Sequence, residues 1–490
     1  MRSIPRATIG PVVDRDLRAG FDGVRLDAGL PDEFPAEVEQ AAAALASTTP
    51  NDASSPERVD HRDIEFWTID PIGSRDLDQA LHLERRSSGF RLRYAIADVG
   101  AWIDIETPDP GNPIDIEARR RGVTVYCPDR RVPLHPTVLS EGAASLLPGL
   151  DRPAVLWVID FDDRGETVNV EVSRALVRSR RQTDYDAVQR VVDSGNGDHQ
   201  SQLLAEVGNL LMEREADRGG VSLRLPEQET IVDDAGGYQL VTRRPVSAES
   251  WNAQLSLATG RAAAALMLDH GWGLLRTVPP APDEALNALR SASLAAGVPW
   301  PVDLAYGAWV RSLDVSEPHH MALMVSASRL LRGSGYLALT GGPPPDAAST
   351  IHAAIAAPYA HVTAPLRRLA DRFATEAVLA GVVGQQPTDQ LAEALEALPQ
   401  TMGALVRRAA GVERQCVDLI EAAILGHRIG DTFNAVITAV DRSGRATLVL
   451  TEPAVIASLD GVDAAAAGTA ISVLLTAVDH EQGRLTFRRA

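Results

Sequence analysis

Period-two alternation of apolar and polar residues is the clearest pattern early in the chain. Phe90-Arg-Leu-Arg-Tyr-Ala-Ile-Ala-Asp-Val follows Ala80-Leu-His-Leu-Glu across a Ser87-Ser-Gly turn, which predicts a β-hairpin. A second hairpin is predicted from Ala154-Val-Leu-Trp-Val-Ile-Asp-Phe, through Asp162-Asp-Arg-Gly, to the alternating Val168, Val170 and Val172. After Thr183 the apolar spacing turns helical, predicting helices over 185–194, 202–218, 251–270, 318–332, 365–379, 388–398 and 401–425. Nearer the start, 33–46 begins with acidic residues and reads as a helix, broken by the Ser/Thr/Pro/Asp-rich stretch 47–56. Strand patterning returns at the end, over 432–440, 446–450, 455–459, 470–478 and 484–487. Five short strands with glycine turns between them suit an OB-like β-barrel, and a generic small β-domain fits the same count. The expected organisation is a short N-terminal module and linker (1–60), a large mixed domain (61–385), a helical connector (386–429) and the barrel (430–490).

Composition narrows the class without choosing a function. The 490 residues are 45% hydrophobic and 23% charged, as in an ordinary globular protein. No apolar run approaches the roughly 18 residues of a membrane span, and the first residues lack the apolar stretch of a signal peptide. Two cysteines, Cys127 and Cys416, make neither a disulfide framework nor a zinc site, so a reducing, cytoplasmic setting is expected. The net charge of −19 opposes a non-specific nucleic-acid coat, yet local basic tracks remain possible. Arginines cluster at 119–121, 130–131, 178–181, 367–368 and 407–408, and guanidinium forks suit phosphate. Solvated surface arginines are the plain alternative for any one cluster.

The strongest chemical signal is Thr68-Ile-Asp-Pro-Ile-Gly-Ser-Arg-Asp-Leu-Asp-Gln-Ala-Leu. Asp70, Asp76 and Asp78 fall around a Pro-Ile-Gly-Ser turn just ahead of a strand. Short carboxylates fixed by a rigid element offer hard oxygen ligands to magnesium. Asp76 and Asp78 share a side if extended. Like charges packed this closely call for a cation. An Asp-rich surface turn is the alternative reading of such a cluster in isolation.

The flanking residues resemble a family. Thr68-Ile-Asp70, Asp76-Leu-Asp78-Gln79-Ala80, Tyr94-Ala-Ile-Ala-Asp98-Val and Glu117-Ala-Arg-Arg-Arg121-Gly122-Val-Thr-Val-Tyr126-Cys-Pro are similar to successive blocks of the RNase II/R (RNB-domain) exoribonucleases. So are Val132-Pro-Leu-His-Pro-Thr-Val-Leu139-Ser140, Ser145-Leu-Leu-Pro-Gly-Leu-Asp151-Arg152, Arg218-Gly-Gly-Val-Ser-Leu, Leu225-Pro-Glu227 and Tyr359-Ala-His-Val-Thr363-Ala-Pro365-Leu-Arg367-Arg368-Leu-Ala-Asp371-Arg. The resemblance spans about 63–383, and its specificity lies in the order of the set.

It implies an α/β (α+β) RNB catalytic domain with a central channel, followed by an OB-like RNA-binding barrel. It also implies 3′-to-5′ hydrolysis of single-stranded RNA to nucleoside 5′-monophosphates, with Mg2+ (or Mn2+) as cofactor. Catalytic roles carry over to Asp70, Asp76, Asp78 and Arg367, metal binding to the three aspartates with Gln79, and RNA contacts to Tyr126, Asn252, Thr363 and Arg368. Tyr126 would stack on a terminal base. Arg367 would grip the phosphate, its alternative being a helix-start ion pair with Asp371. Two positions depart from the family: Gln79 stands where a fourth aspartate is usual, and Asn252 where an acidic residue is usual. The N-terminal segment is short for tandem cold-shock barrels, so a more open RNA route is expected. Neither a membrane nor an obligate protein partner is expected. The rivals are a catalytically weakened RNB-domain RNA-binding protein and an unrelated metal-dependent phosphoesterase acting on small nucleotides.

Overall fold

The computed structural model describes residues 14–490 except 32, 49–57, 104–110, 196, 224, 226, 233–237, 343–345, 442, 452, 454, 464–465 and 467–468. Most of the expected linker over 47–56 lies outside the described residues. Helices α1 (Asp14–Asp27) and α2 (Ala36–Ala46) precede the central sheet. Its strands are β1 (Val59–Asp60), β2 (Phe66–Ile69), β3 (Gln79–Arg85) and β4 (Phe90–Ala97). Helix α3 (Pro113–Arg121) and the short pair β5 (Val125–Tyr126) and β6 (Arg131–Val132) intervene before β7 (Asp151–Phe161) and β8 (Thr167–Thr183). Both predicted hairpins are present, as antiparallel β3–β4 and β7–β8.

The sheet order is β1-β8-β2-β3-β4-β7, with β8 also paired to β7. The long β8 runs beside β7 over 167–178 and then beside β2 over 179–183, so the sheet curls back on itself. Both faces are covered, because adjacent residues point to opposite sides of a strand. Trp67, Tyr94 and Trp157 join the helical side of the core, while Phe66, Ala95 and Leu156 pack with Val38 and Ala42 of α2.

The helical side comprises α4 (Tyr185–Asp193), α5 (His199–Arg218), α6 (Ser247–His270) and α10 (Leu369–Val382). Between them lie the hairpin β9 (Glu227–Val232) and β10 (Tyr238–Arg243), then β11 (Trp272–Thr277) paired with β12 (Gly335–Thr340). Helices α7 (Asp283–Ala295), α8 (Tyr306–Arg311) and α9 (Pro318–Ser328) are inserted between β11 and β12, with their own core around Trp300 stacked on Trp309. The strands β13 (Ile351–His352) and β14 (Ala357–Pro358) form a short pair.

Two sequence expectations are corrected here. The stretch expected as helices 388–398 and 401–425 is one helix, α11 (Asp389–Leu425), with Pro399 inside it. Proline removes one N–H donor, but Leu395, Leu398 and Met402 are buried in one core on either side of it and hold the axis. The helix expected from 365 begins only at Leu369. Before it, residues 365–367 form a turn closed by Arg368 N donating to Ala364 O at 2.9 Å, and its end pairs with the segment after α3: Thr124 N donates to Arg367 O at 2.9 Å, and Leu369 N to Gly122 O at 2.9 Å.

The last strands are β15 (Thr432–Val440), β16 (Ala446–Leu450), β17 (Ile456–Leu459), β18 (Ala470–Asp479) and β19 (Arg484–Arg489). They form an antiparallel sheet in the order β17-β16-β15-β18-β19, with β17 against β19. The sheet is nearly closed, as expected of an OB-like barrel. Its core, including Phe433, Leu448 and Leu475, continues into Phe21 of α1 and Ile420 of α11. Among the described residues no helix is long and apolar enough to cross a membrane.

Two glycines test this packing. A Cβ on Gly260 of α6 would run into the Tyr359 ring and meet Ala360 O at 2.6 Å, whereas one on Gly411 of α11 meets nothing within 4 Å. Gly260→Ala is expected to lose about 1–3 kcal/mol and Gly411→Ala to gain about 0.5–1 kcal/mol, read from urea denaturation midpoints.

Candidate active site

The loop joining β2 to β3 carries the three aspartates, and its shape is fixed at several points. Asp70 N donates to Thr183 O at 3.2 Å, Ser74 N to Pro71 O at 3.1 Å, and Gly73 supplies the positive φ of the turn. Buried Leu77 donates its N–H to Ser145 Oγ at 2.9 Å, and that hydroxyl donates to Arg75 O at 2.6 Å. Asp76 and Asp78 are thereby presented on either side of a buried leucine, at the mouth of β3.

A second loop, Thr363 to Arg368, faces the first. Leu366 N donates to Asp78 Oδ1 at 2.8 Å, and Arg367 Nε lies 3.3 Å from Asp78 Oδ2. The alternative ion pair with Asp371 belongs to the neighbouring arginine: Arg368 Nε and Nη2 donate to Asp371 Oδ2 and Oδ1 at 2.9 and 2.8 Å. Asp371 is fully buried and also accepts from Ala364 N at 2.7 Å, so it pins both ends of the loop. Arg367 is left 42% exposed, free to face the cleft as well as Asp78.

All nine residues singled out in the sequence line one cleft of about 840 Å3: Asp70, Asp76, Asp78, Gln79, Tyr126, Asn252, Thr363, Arg367 and Arg368. Their settings differ. Burial, opposed by Arg367 and reinforced by Asp76, pushes the Asp70 carboxyl up to about 7. Burial likewise pushes Asp78 up to about 7, against the pull of Arg367 and Leu366 N. Arg131 Nη1 donates to Asp76 Oδ1 at 2.9 Å. Gln79 lines the same cleft with its oxygen engaged: Tyr94 OH donates to its Oε1, Ser256 Oγ donates to the same oxygen at 3.2 Å, and Tyr94 and Ser256 lie 2.8 Å apart. Buried Asn252 donates to Tyr185 OH at 3.4 Å. Tyr126 is exposed at the edge, its N–H donating to Glu413 Oε1 of α11 at 3.1 Å. Thr363 is buried in the wall.

Tyr185, Arg131, Ser256 and Glu413 were not singled out in the sequence. Tyr185 and Glu413 sit in ordinary helical spacing, so only the fold brings them here; Arg131 stood out only as part of a basic pair.

The donor set is chemically suited to a hard divalent cation, and one oxygen is available. Asp70 Oδ2 is buried with no hydrogen-bond partner, a costly arrangement unless something positive lies against it. The other carboxylates are held by arginines, so among the described residues no three His, Cys, Asp or Glu side chains form a ready-made cage.

Comparison with known proteins agrees with this arrangement of loops and sheet. Residues 58–380 match the RNB domain family, and residues 431–490 the RNase II-type exonuclease C-terminal S1 domain. The chain belongs to the RNB family. It is 28% identical over 446 residues to Ribonuclease R of Escherichia coli (strain K12), covering 85% of this chain and 52% of that protein. It thus spans about half the length of such curated relatives. The solved structure of Mycoplasma genitalium RNase R in complex with ribose methylated single-stranded RNA aligns with a TM-score of 0.85 at 22% identity, over 97% of this chain and 78% of that one. The same fold occurs in yeast Ssd1, described as a pseudonuclease, with a TM-score of 0.69 at 16% identity over 96% of this chain and 59% of that one.

Asp371 should carry much of the loop's stability. Asp371→Ala leaves half-buried Arg368 without its carboxylate and buried Ala364 N without an acceptor, an expected loss of about 2–4 kcal/mol in urea denaturation. A loss below about 1 kcal/mol would show that the loop is held by other contacts.

Proposed function

We propose that this chain is a metal-dependent 3′-to-5′ exoribonuclease acting on single-stranded RNA and releasing nucleoside 5′-monophosphates. The observation that carries the reading is the meeting of three aspartates with Arg367 in one cleft, the buried Asp70 Oδ2 unpartnered. Asp70, Asp76 and Asp78 would hold the divalent cation, magnesium or manganese. When bound, the cation supplies Lewis-acid activation of water and of the phosphate. Arg367 keeps Nε on Asp78 and turns its remaining N–H groups to the scissile phosphate, where negative charge develops. Tyr126, exposed at the rim, stacks on a base without reading its identity. Asn252 and Thr363 contact the terminal nucleotide from the walls, while Arg368 acts through Asp371 as well as through the cleft it lines. The OB-like barrel feeds the strand toward this cleft from the cytoplasm, with no obligate protein partner.

A second reading, an RNA-binding relative with weakened catalysis, draws support from Gln79. Its Oε1 is already engaged by Tyr94 and Ser256, so it adds no ligand to the carboxylates. Incubating the chain with 5′-labelled single-stranded RNA and magnesium separates the readings. A ladder descending from the 3′ end is expected, weakened by several orders of magnitude in Asp78→Asn with RNA affinity within a few-fold. A gel shift without cleavage would favour the binder. Neither shift nor cleavage would favour a small-nucleotide phosphoesterase.

Gln79→Asp gives a further check. The shorter, charged side chain would abandon the buried Tyr94 hydroxyl and the half-buried Ser256 hydroxyl, so the variant is expected to be less stable and no better at low magnesium. A lower magnesium requirement in a rate titration would instead place position 79 among the metal ligands.

A further inference from the structure

Cys127 and Cys416, 289 positions apart in the chain, meet where the end of β5 docks on α11. Both are free thiols, and Cys127 packs against the core cluster that contains Cys416. The contact is part of a two-point dock: Tyr126 N is bonded to Glu413, and one helical turn on, Cys127 faces Cys416. Cys127 is half-buried and Cys416 has no exposed surface. Beside Cys127 lies the buried guanidinium of Arg25, hydrogen-bonded to it and to Asp129, with Arg25 Nη1 2.8 Å from Asp129 Oδ1.

We propose that Cys127 and Cys416 form an intramolecular disulfide driven by a hydroperoxide, with Cys127 reacting first and Cys416 resolving it. The difference in exposure assigns the roles, since only Cys127 can be reached from solvent. The electrostatics agree in direction: the neighbouring Cys416 thiol, then the Arg25 guanidinium, pull Cys127 down, while the same pairing and burial push Cys416 up. The Cys127 thiolate attacks the peroxide, forming an S–O bond as the O–O bond breaks, and the departing alkoxide takes the thiol's proton to leave as alcohol. Cys416 sulfur then attacks Cys127 sulfur. The S–S bond forms, the S–O bond breaks, and hydroxide leaves with the Cys416 proton as water. Two thiols lose two electrons, and the peroxide gains them. The product would clamp the Tyr126 rim to α11 by a covalent bond, whatever substrate the cleft takes.

The test treats the whole chain with hydrogen peroxide and analyses it by mass spectrometry without reductant. We expect the loss of two hydrogens, disappearance of both free thiols, a linked peptide containing Cys127 and Cys416, reversal by dithiothreitol, and a rate that rises through pH about 7. Cys416→Ser is expected to stop at a Cys127 sulfenic acid that dimedone traps. Two surviving thiols, over-oxidised Cys127 beside free Cys416, or a disulfide only between chains would each overturn the proposal. These outcomes are read on the native chain and do not depend on RNA cleavage.

Discussion

Everything near the cleft depends on how one buried carboxylate is compensated. Asp78 is 3% exposed at the start of β3, with its backbone carbonyl bonded to Ala97 N inside the sheet. An isolated charge there would cost several kcal/mol. Leu366 N and Arg367 meet it from the opposite loop, yet burial still outweighs them and raises its pKa. The site is therefore built short of positive charge, and the unpartnered Asp70 Oδ2 is the second sign of the same deficit. A phosphate-cleaving cation is the natural complement to such a surface.

This constraint reaches outward through the backbone. Arg367 stands opposite Asp78 on a turn over 365–367, and the end of that turn is held by pairing with the segment between α3 and β5. Tyr126 ends β5, so the rim aromatic and Arg367 ride on one small patch of paired backbone. Asp371 anchors the far side from α10, and α11 holds the near side through Glu413 before running on to the barrel core. The aspartate loop, the Tyr126 rim and the C-terminal barrel are thus joined by rigid elements rather than by linkers.

Much of this was legible in the sequence because local patterns carried it. The alternation in Phe90–Ala97 and the valines of β8 gave the hairpins, and the five short C-terminal strands gave the barrel. The aspartate cluster and the ordered motifs named nine residues that line one cleft. What escaped were long-range effects. Pro399 read as a break because proline is a local stop signal, while the core packing that overrides it comes from distant elements. Pro365 to Arg368 read as helix because the segment that holds the end of this turn lies some 240 residues earlier. The exchange of partners between Arg367 and Arg368 could not be seen, since adjacent arginines look alike until the backbone direction separates them. Gln79 read as a weak metal ligand because nothing local reveals that Tyr94 and Ser256 occupy its oxygen.

The coupling between Asp78 and Arg367 is the point on which the rest turns, and a double-mutant cycle measures it directly. Asp78→Asn, Arg367→Gln and the double variant would be compared with the native chain by urea denaturation, without RNA. We expect a coupling energy above about 0.5 kcal/mol, because Arg367 Nε lies 3.3 Å from the buried Asp78 carboxylate. Strictly additive losses would mean that the two side chains do not sense one another, and that the loops are brought together by something else.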